Sequence, residues 1–223
     1  MKKQLALAAT LVTAPFAASA GALSYTYVEA GYAHLAQDDI RSFGYSRFVL
    51  ATPGDVKSDG FFVGGSAAIG ESFYGFANYR RGSDTVEVQA IDYMFNQASF
   101  TYEADVTTSR LNVGIGYHYG LSESTDLLAE VSLLNSTLDI EGAGRDDYDD
   151  GIDPRVSFGA RSALTDAIEI WGKGHYTDGD FYQSEVSGSV GMQVRFNQTF
   201  GITGEFEAGS DYSQYTLGLR ASF

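Results

Sequence analysis

The last nine residues, Tyr215 to Phe223, constrain this chain more than any other stretch. Tyr215, Leu217, Leu219, Ala221 and Phe223 are apolar or small at every second position, with Gly218, Arg220 and Ser222 between them. Strict alternation marks a strand with two unlike faces. At the end of a soluble protein such an edge strand would invite aggregation. In a membrane barrel the same strand closes the sheet and turns its apolar face to lipid. Tyr215, Leu217, Leu219 and Phe223 therefore form a candidate assembly signal for the barrel-assembly machinery.

The opposite end predicts export. Lys2 and Lys3 precede a short apolar run, Leu5 to Phe16, and Ala18-Ser19-Ala20 supplies small residues for cleavage. This reads as a secretory signal peptide, residues 1–20, cleaved after Ala20, with residues 21–223 forming one domain. Pro15 argues against a buried helix there.

Of the 223 residues 29 are acidic and 14 basic, a formal charge of −15. That sign disfavours nucleic acid. With no cysteine, disulfides and thiolate metal sites are excluded. No cofactor is expected. After the leader no run approaches the roughly 20 apolar residues of a membrane helix.

Alternating segments recur along the chain. Strands are expected near 24–35, 60–69, 73–81, 108–119, 126–140, 155–163, 167–177, 185–196, 199–207 and 215–223. The clearest sets Leu111, Val113, Ile115, Tyr117 and Tyr119 against Arg110, Asn112, Gly114, Gly116 and His118. Short turns alternate with long connections, the asymmetry of outer-membrane barrels. Phe73, Tyr117, Tyr119, Phe196, Phe200 and Phe223 gather beside the short turns, as an interfacial girdle requires. The fold expected is all-β: a monomeric, transmembrane, antiparallel up-and-down barrel of ten strands, with eight as the alternative.

Leu23-Ser24-Tyr25-Thr26-Tyr27-Val28-Glu29-Ala30-Gly31-Tyr32, Ser58 to Ser66, Leu111 to Tyr117 and Thr125-Asp126-Leu127 resemble the Ax-type small outer-membrane proteins. More broadly the chain resembles small barrels of the OmpX and OmpA membrane-domain type. The resemblance implies a Gram-negative outer-membrane location, with lipid and lipopolysaccharide as surroundings; it implies no activity.

Alternation places Glu29, Glu130, Glu169, Glu185, Glu205 and Glu207 inward with Arg80, Arg110, Arg161, Lys173, Arg195 and Arg220, six acids against six bases. Such a lumen is a structural ion-pair network or the lining of a narrow porin-like channel for ions or small solutes. His34 and His175 lie near the loop ends and His118 near a short turn. A rim enzyme hydrolysing lipid or peptide could use His175 with Asp178 or Asp180. No family signature supports that, and a non-enzymatic protein is expected. Arg145 to Asp153 reads as a solvated acidic loop whose spacing does not match a calcium loop. Asp84 to Asp105 reads as a hairpin above the membrane. A turn at Asn96-Gln97 sets Tyr93 opposite Phe100 and Ile91 opposite Tyr102. Ile91, Tyr93, Phe95, Phe100 and Tyr102 form a candidate contact surface for an extracellular protein. The function expected is cell-surface interaction or envelope integrity through the loops.

Overall fold

The computed structural model describes residues 23–37, 43–45, 48–51, 56–92, 99–142, 145–179, 181–182 and 184–223. Its strands are β1 (Tyr27–Gln37), β2 (Phe43–Tyr45), β3 (Phe48–Ala51), β4 (Val56–Ile69), β5 (Phe73–Asp92), β6 (Ser99–Ser122), β7 (Thr125–Gly142), β8 (Arg145–Ala163), β9 (Ile168–Thr177), β10 (Glu185–Arg195), β11 (Phe200–Ala208) and β12 (Tyr212–Ser222). Neighbours pair antiparallel in the order β5-β4-β1-β12-β11-β10-β9-β8-β7-β6, and β5–β6 pairing closes the ring. This is a ten-stranded barrel, to which β2 and β3 are added beside β5. The segment expected to be a signal peptide lies outside the described residues.

The pleat explains why the sheet closes. On β10, Val186, Val190, Met192 and Val194 are exposed, whereas Ser187, Ser189 and Gln193 are buried. On β12, Leu217 and Leu219 are exposed while Gln214, Arg220 and Ser222 are buried. Apolar side chains point out and polar ones in, the reverse of a soluble core. Such an outer surface is stable only against lipid. In lipid every backbone amide needs a partner within the sheet. The seam between the first and last barrel strands supplies them, from Tyr27↔Ser222 to Gln37↔Tyr212.

Two aromatic rings bound the apolar band. Phe73 and Tyr117, with centroids 5.2 Å apart, lie at the short-turn end with exposed Tyr119, Phe196 and Phe200. The second ring, at the loop end, includes Tyr32, Tyr215, Phe61 and Tyr79, the first two 6.0 Å apart and the last two 6.2 Å. Just above it Asp59 faces outward, its carboxylate contacting His34 Nδ1 at 2.6 Å and accepting the Tyr32 hydroxyl. These hydrogen bonds, Tyr32's first, hold the Asp59 carboxyl below its ordinary range. An outward carboxylate marks the edge of the hydrocarbon. From Phe61 to Ile69, at about 3.4 Å per residue and a tilt near 40°, the band is roughly 20–25 Å tall.

Above the band the wall is uneven. β5 and β6 pair up to Ile91↔Ser99, and β7 and β8 up to Gly142↔Arg145. The segment expected as an acidic loop is therefore the top of a hairpin. Its inner face explains the difference: alternation continues upward through buried Leu134 and Leu138, and Leu138 clusters with Val56 and Val106. The β5–β6 register also differs from the sequence expectation. Ile91 pairs with Ser99, and Tyr102 with Val88. The backbone ladder runs unbroken from the barrel, so pairing inherited from below sets this register. Tyr93 and Phe95 lie outside the described residues.

At the base, Phe223 N donates to Thr26 O at 2.9 Å, and Ser24 Oγ donates to Phe223 O at 2.7 Å. The terminal residue thus ties the seam to the segment preceding β1. Deleting Phe223 should lower the amount of assembled, heat-modifiable barrel on unboiled gels and leave protein in the periplasm. Wild-type levels of the folded band would contradict this.

Candidate functional site: a charged lumen closed at both ends

Inward-facing charges meet across the barrel in four clusters. Glu29 on β1 pairs with Arg220 on β12 at 2.8 Å. Glu169 on β9 is shared by Arg161 and Arg195, each at 2.6 Å, with Arg220 at 4.0 Å. Glu130 on β7 receives Lys173 at 2.9 Å and the Tyr74 hydroxyl at 2.7 Å. Glu207 on β11 binds Arg155, Ser187 Oγ at 3.1 Å, Tyr212 Oη at 2.7 Å and Gln214 Nε2 at 2.6 Å. Glu205 accepts the Trp171 indole N–H at 2.7 Å and reaches Arg80 only at 3.4 Å.

Large side chains find room where glycine faces them. Tyr74 sits directly across from Gly116, and Trp171 from Gly191. A Cβ at either glycine would run into the opposing ring. Glycine therefore lets each ring lie flat over the next strand and aim its polar tip at a lumen glutamate.

The eleven expected inward charges other than Glu185 line this interior. Glu185, the first residue of β10, instead accepts the backbone N–H of Ser210 at 2.6 Å, at the loop end. Arg155, not among the expected network residues, is 5 % exposed and bound to Glu207. Its signal was its parity: Arg155, Ser157, Gly159 and Arg161 share one face of β8. With Arg155 added and Glu185 removed, seven cations face five glutamates and the inward aspartates Asp126 and Asp153.

Both ends of the lumen are filled. At the base Leu23, Tyr25, Tyr74 and Leu128 form a buried cluster. Tyr25 stacks on His118 at 4.0 Å and on Tyr74 at 4.8 Å, lies under the Arg161 guanidinium and donates to Asp126 at 2.6 Å. At the loop end the β9–β10 connection dips inward. Phe181 packs against the Val56–Val106–Leu138 cluster, and Tyr182 lies 6.0 Å from the Tyr212 ring and bonds Arg110. Buried Asp153 anchors that loop through the backbone N–H groups of Phe181 and Tyr182, at 2.9 and 3.3 Å. Between the plugs remain cavities of about 110 and 40 Å³. These volumes hold a few waters.

His175 does not pair with Asp178. His175 faces the lumen and bonds Ser157 Oγ at 2.8 Å and Ser189 Oγ at 3.0 Å. Asp178 accepts from Ser184 N at 3.0 Å, and Asp180 lies outside the described residues. Inward parity at position 175 separates the ring from Asp178.

Removing one member of a buried ion pair strands its partner, at a cost of about 3–5 kcal/mol. Glu169→Gln would leave Arg161 and Arg195 without their shared carboxylate. A loss of that size in unfolding free energy in detergent is expected, together with a lower thermal midpoint. A neutral or stabilising Glu169→Gln would refute the network as a structural core.

Neither a protein-family model nor a curated protein matches the sequence. Among solved structures the chain is similar to the translocator domain of the autotransporter NalP from Neisseria meningitidis. The TM-score is 0.54 at 10 % identity, covering 100 % of this chain and 95 % of that one. It is similar also to the beta domain of the Bordetella autotransporter BrkA, with a TM-score of 0.52, 14 % identity, and coverage of 89 % and 99 %. The attachment invasion locus protein Ail of Yersinia pestis aligns over 90 % of this chain and 99 % of that one, at 9 % identity and a TM-score of 0.44. At such identities the likeness is one of fold. Geometry and comparison together make this chain a closed, ten-stranded antiparallel barrel of the outer-membrane type.

Proposed function

We propose that this protein is a non-enzymatic outer-membrane barrel acting through the sheet above its loop end, in surface interaction or envelope integrity. The observation that carries the reading is the contrast between interior and wall. Tyr25 below and Tyr182 above constrict the lumen, whereas β5–β8 rise well past the aromatic ring bounding the band. Wall of that length is not needed to join strands.

The wall has stated chemistry. Above Arg155, β8 has no partner strand among the described residues on the side that β9 occupies lower down. Tyr148 and Ile152 on this stretch are 62 % and 57 % exposed. Glu87, Glu103 and Asp105 add negative charge on β5 and β6. On β5 itself β3 already occupies the edge at Gln89–Asp92, so a visiting strand would not pair there. Acidic flanks favour a basic extracellular protein and make its binding sensitive to salt. Ile91, Tyr93, Phe95, Phe100 and Tyr102 are the residues proposed to give that contact apolar area. The remaining partners in this reading are lipopolysaccharide at the outer rim and the barrel-assembly machinery, after leader cleavage behind Ala20.

Replacing residues 86–103 with a short Gly-Ser turn should leave the barrel folded and inserted. Cells carrying it should lose adhesion to immobilised basic matrix proteins, and the parent's adhesion should fall as sodium chloride rises. Equal adhesion by the shortened protein would sink the proposal.

A further inference from the structure

We propose that the lumen binds a small inorganic anion, of the halide class, between the guanidinium groups of Arg80 and Arg110. The two residues are direct cross-strand partners on β5 and β6, and both line the two cavities. Like charges placed opposite one another in a sheet repel. An interior surrounded by lipid screens that repulsion poorly.

The other lumen cations have close carboxylates. Lys173, Arg161, Arg195 and Arg220 each lie within 2.9 Å of one, and Arg155 is bound to Glu207. Arg80 and Arg110 differ. Arg80 reaches Glu205 at 3.4 Å, and its Nε is buried without a hydrogen-bond partner. Arg110 is held by neutral groups: the Tyr182 hydroxyl, Gln214 Oε1 at 3.5 Å, and the Tyr182 and Tyr212 rings at 5.2 and 5.3 Å. The acids facing them are engaged elsewhere. Glu207 accepts from four side chains, Asp153 holds the β9–β10 loop and Asp84 accepts from Lys57 N at 2.9 Å. Between them the two guanidinium groups have one carboxylate in reach, Glu205, and that only at 3.4 Å from Arg80. Buried charge of that kind requires a counter-ion. The adjoining cavities, of about 110 and 40 Å³, give room for one small ion. The Tyr182 plug makes the site too confined for a large organic anion.

The test uses bromide on crystals of the full barrel, and thermal unfolding in uncharged detergent in chloride against gluconate at equal ionic strength. An anomalous bromide peak between Arg80 and Arg110 is expected, with a higher midpoint in chloride. That difference should vanish in Arg80→Gln. Should this variant fail to fold, Arg110→Lys, which keeps the charge but loses the fork, should weaken the chloride effect. Bromide absent from that position overturns the proposal, as does a chloride effect that persists unchanged in the variants.

Discussion

Everything in this structure depends on the backbone ladder being closed. Hydrocarbon offers no hydrogen bonds, and each unpaired amide there costs several kcal/mol. The seam between β1 and β12 pairs eleven residues of each strand, and Phe223 extends it to the segment before β1. Once the ring is closed, the pleat decides the rest. Each strand must give one face to lipid and the other to the lumen, so no position is free of both environments.

The lumen inverts the usual economy of a protein core. In place of packed aliphatic side chains it holds arginines, one lysine and glutamates tied across the barrel. Charges withdrawn from water are costly unless paired with good geometry, and here Glu130, Glu169, Glu205 and Glu207 each bond groups from at least two other residues. Aromatic rings aid this by laying polar tips on carboxylates and flat faces under guanidiniums, as Tyr27 does for Arg220 at 4.0 Å. These contacts narrow the interior, while the wall of β5–β8 extends above the membrane.

Much of this was legible in the sequence because period-two alternation is a local signal. Leu111 to Tyr119 or Val186 to Phe196 reveal both faces without knowledge of any neighbour. The ten strands, their sidedness and most lumen residues follow from such runs. Arg155 was legible too, since its parity matches Arg161, but it stood at the mouth of a segment read as a loop. Glu185 shows the opposite case: correct parity at the first residue of a strand still leaves a side chain free to turn toward the neighbouring turn. Register above the membrane was not legible, because it is set by pairing inherited from the barrel and not by any local signal. Nor were the plugs. Phe181 and Tyr182 lie in a connection without periodicity, and although Leu23 and Tyr25 alternate with Ser24 and Thr26, the insertion of all four depends on contacts with residues distant in the chain.

The central claim is that the charged interior is a closed core and not a path. Single-channel recording of the purified barrel in planar bilayers tests it most directly. The account predicts a silent membrane with no steady ohmic steps across a range of voltage. Stable, reproducible conductance from the unmutated protein would contradict it.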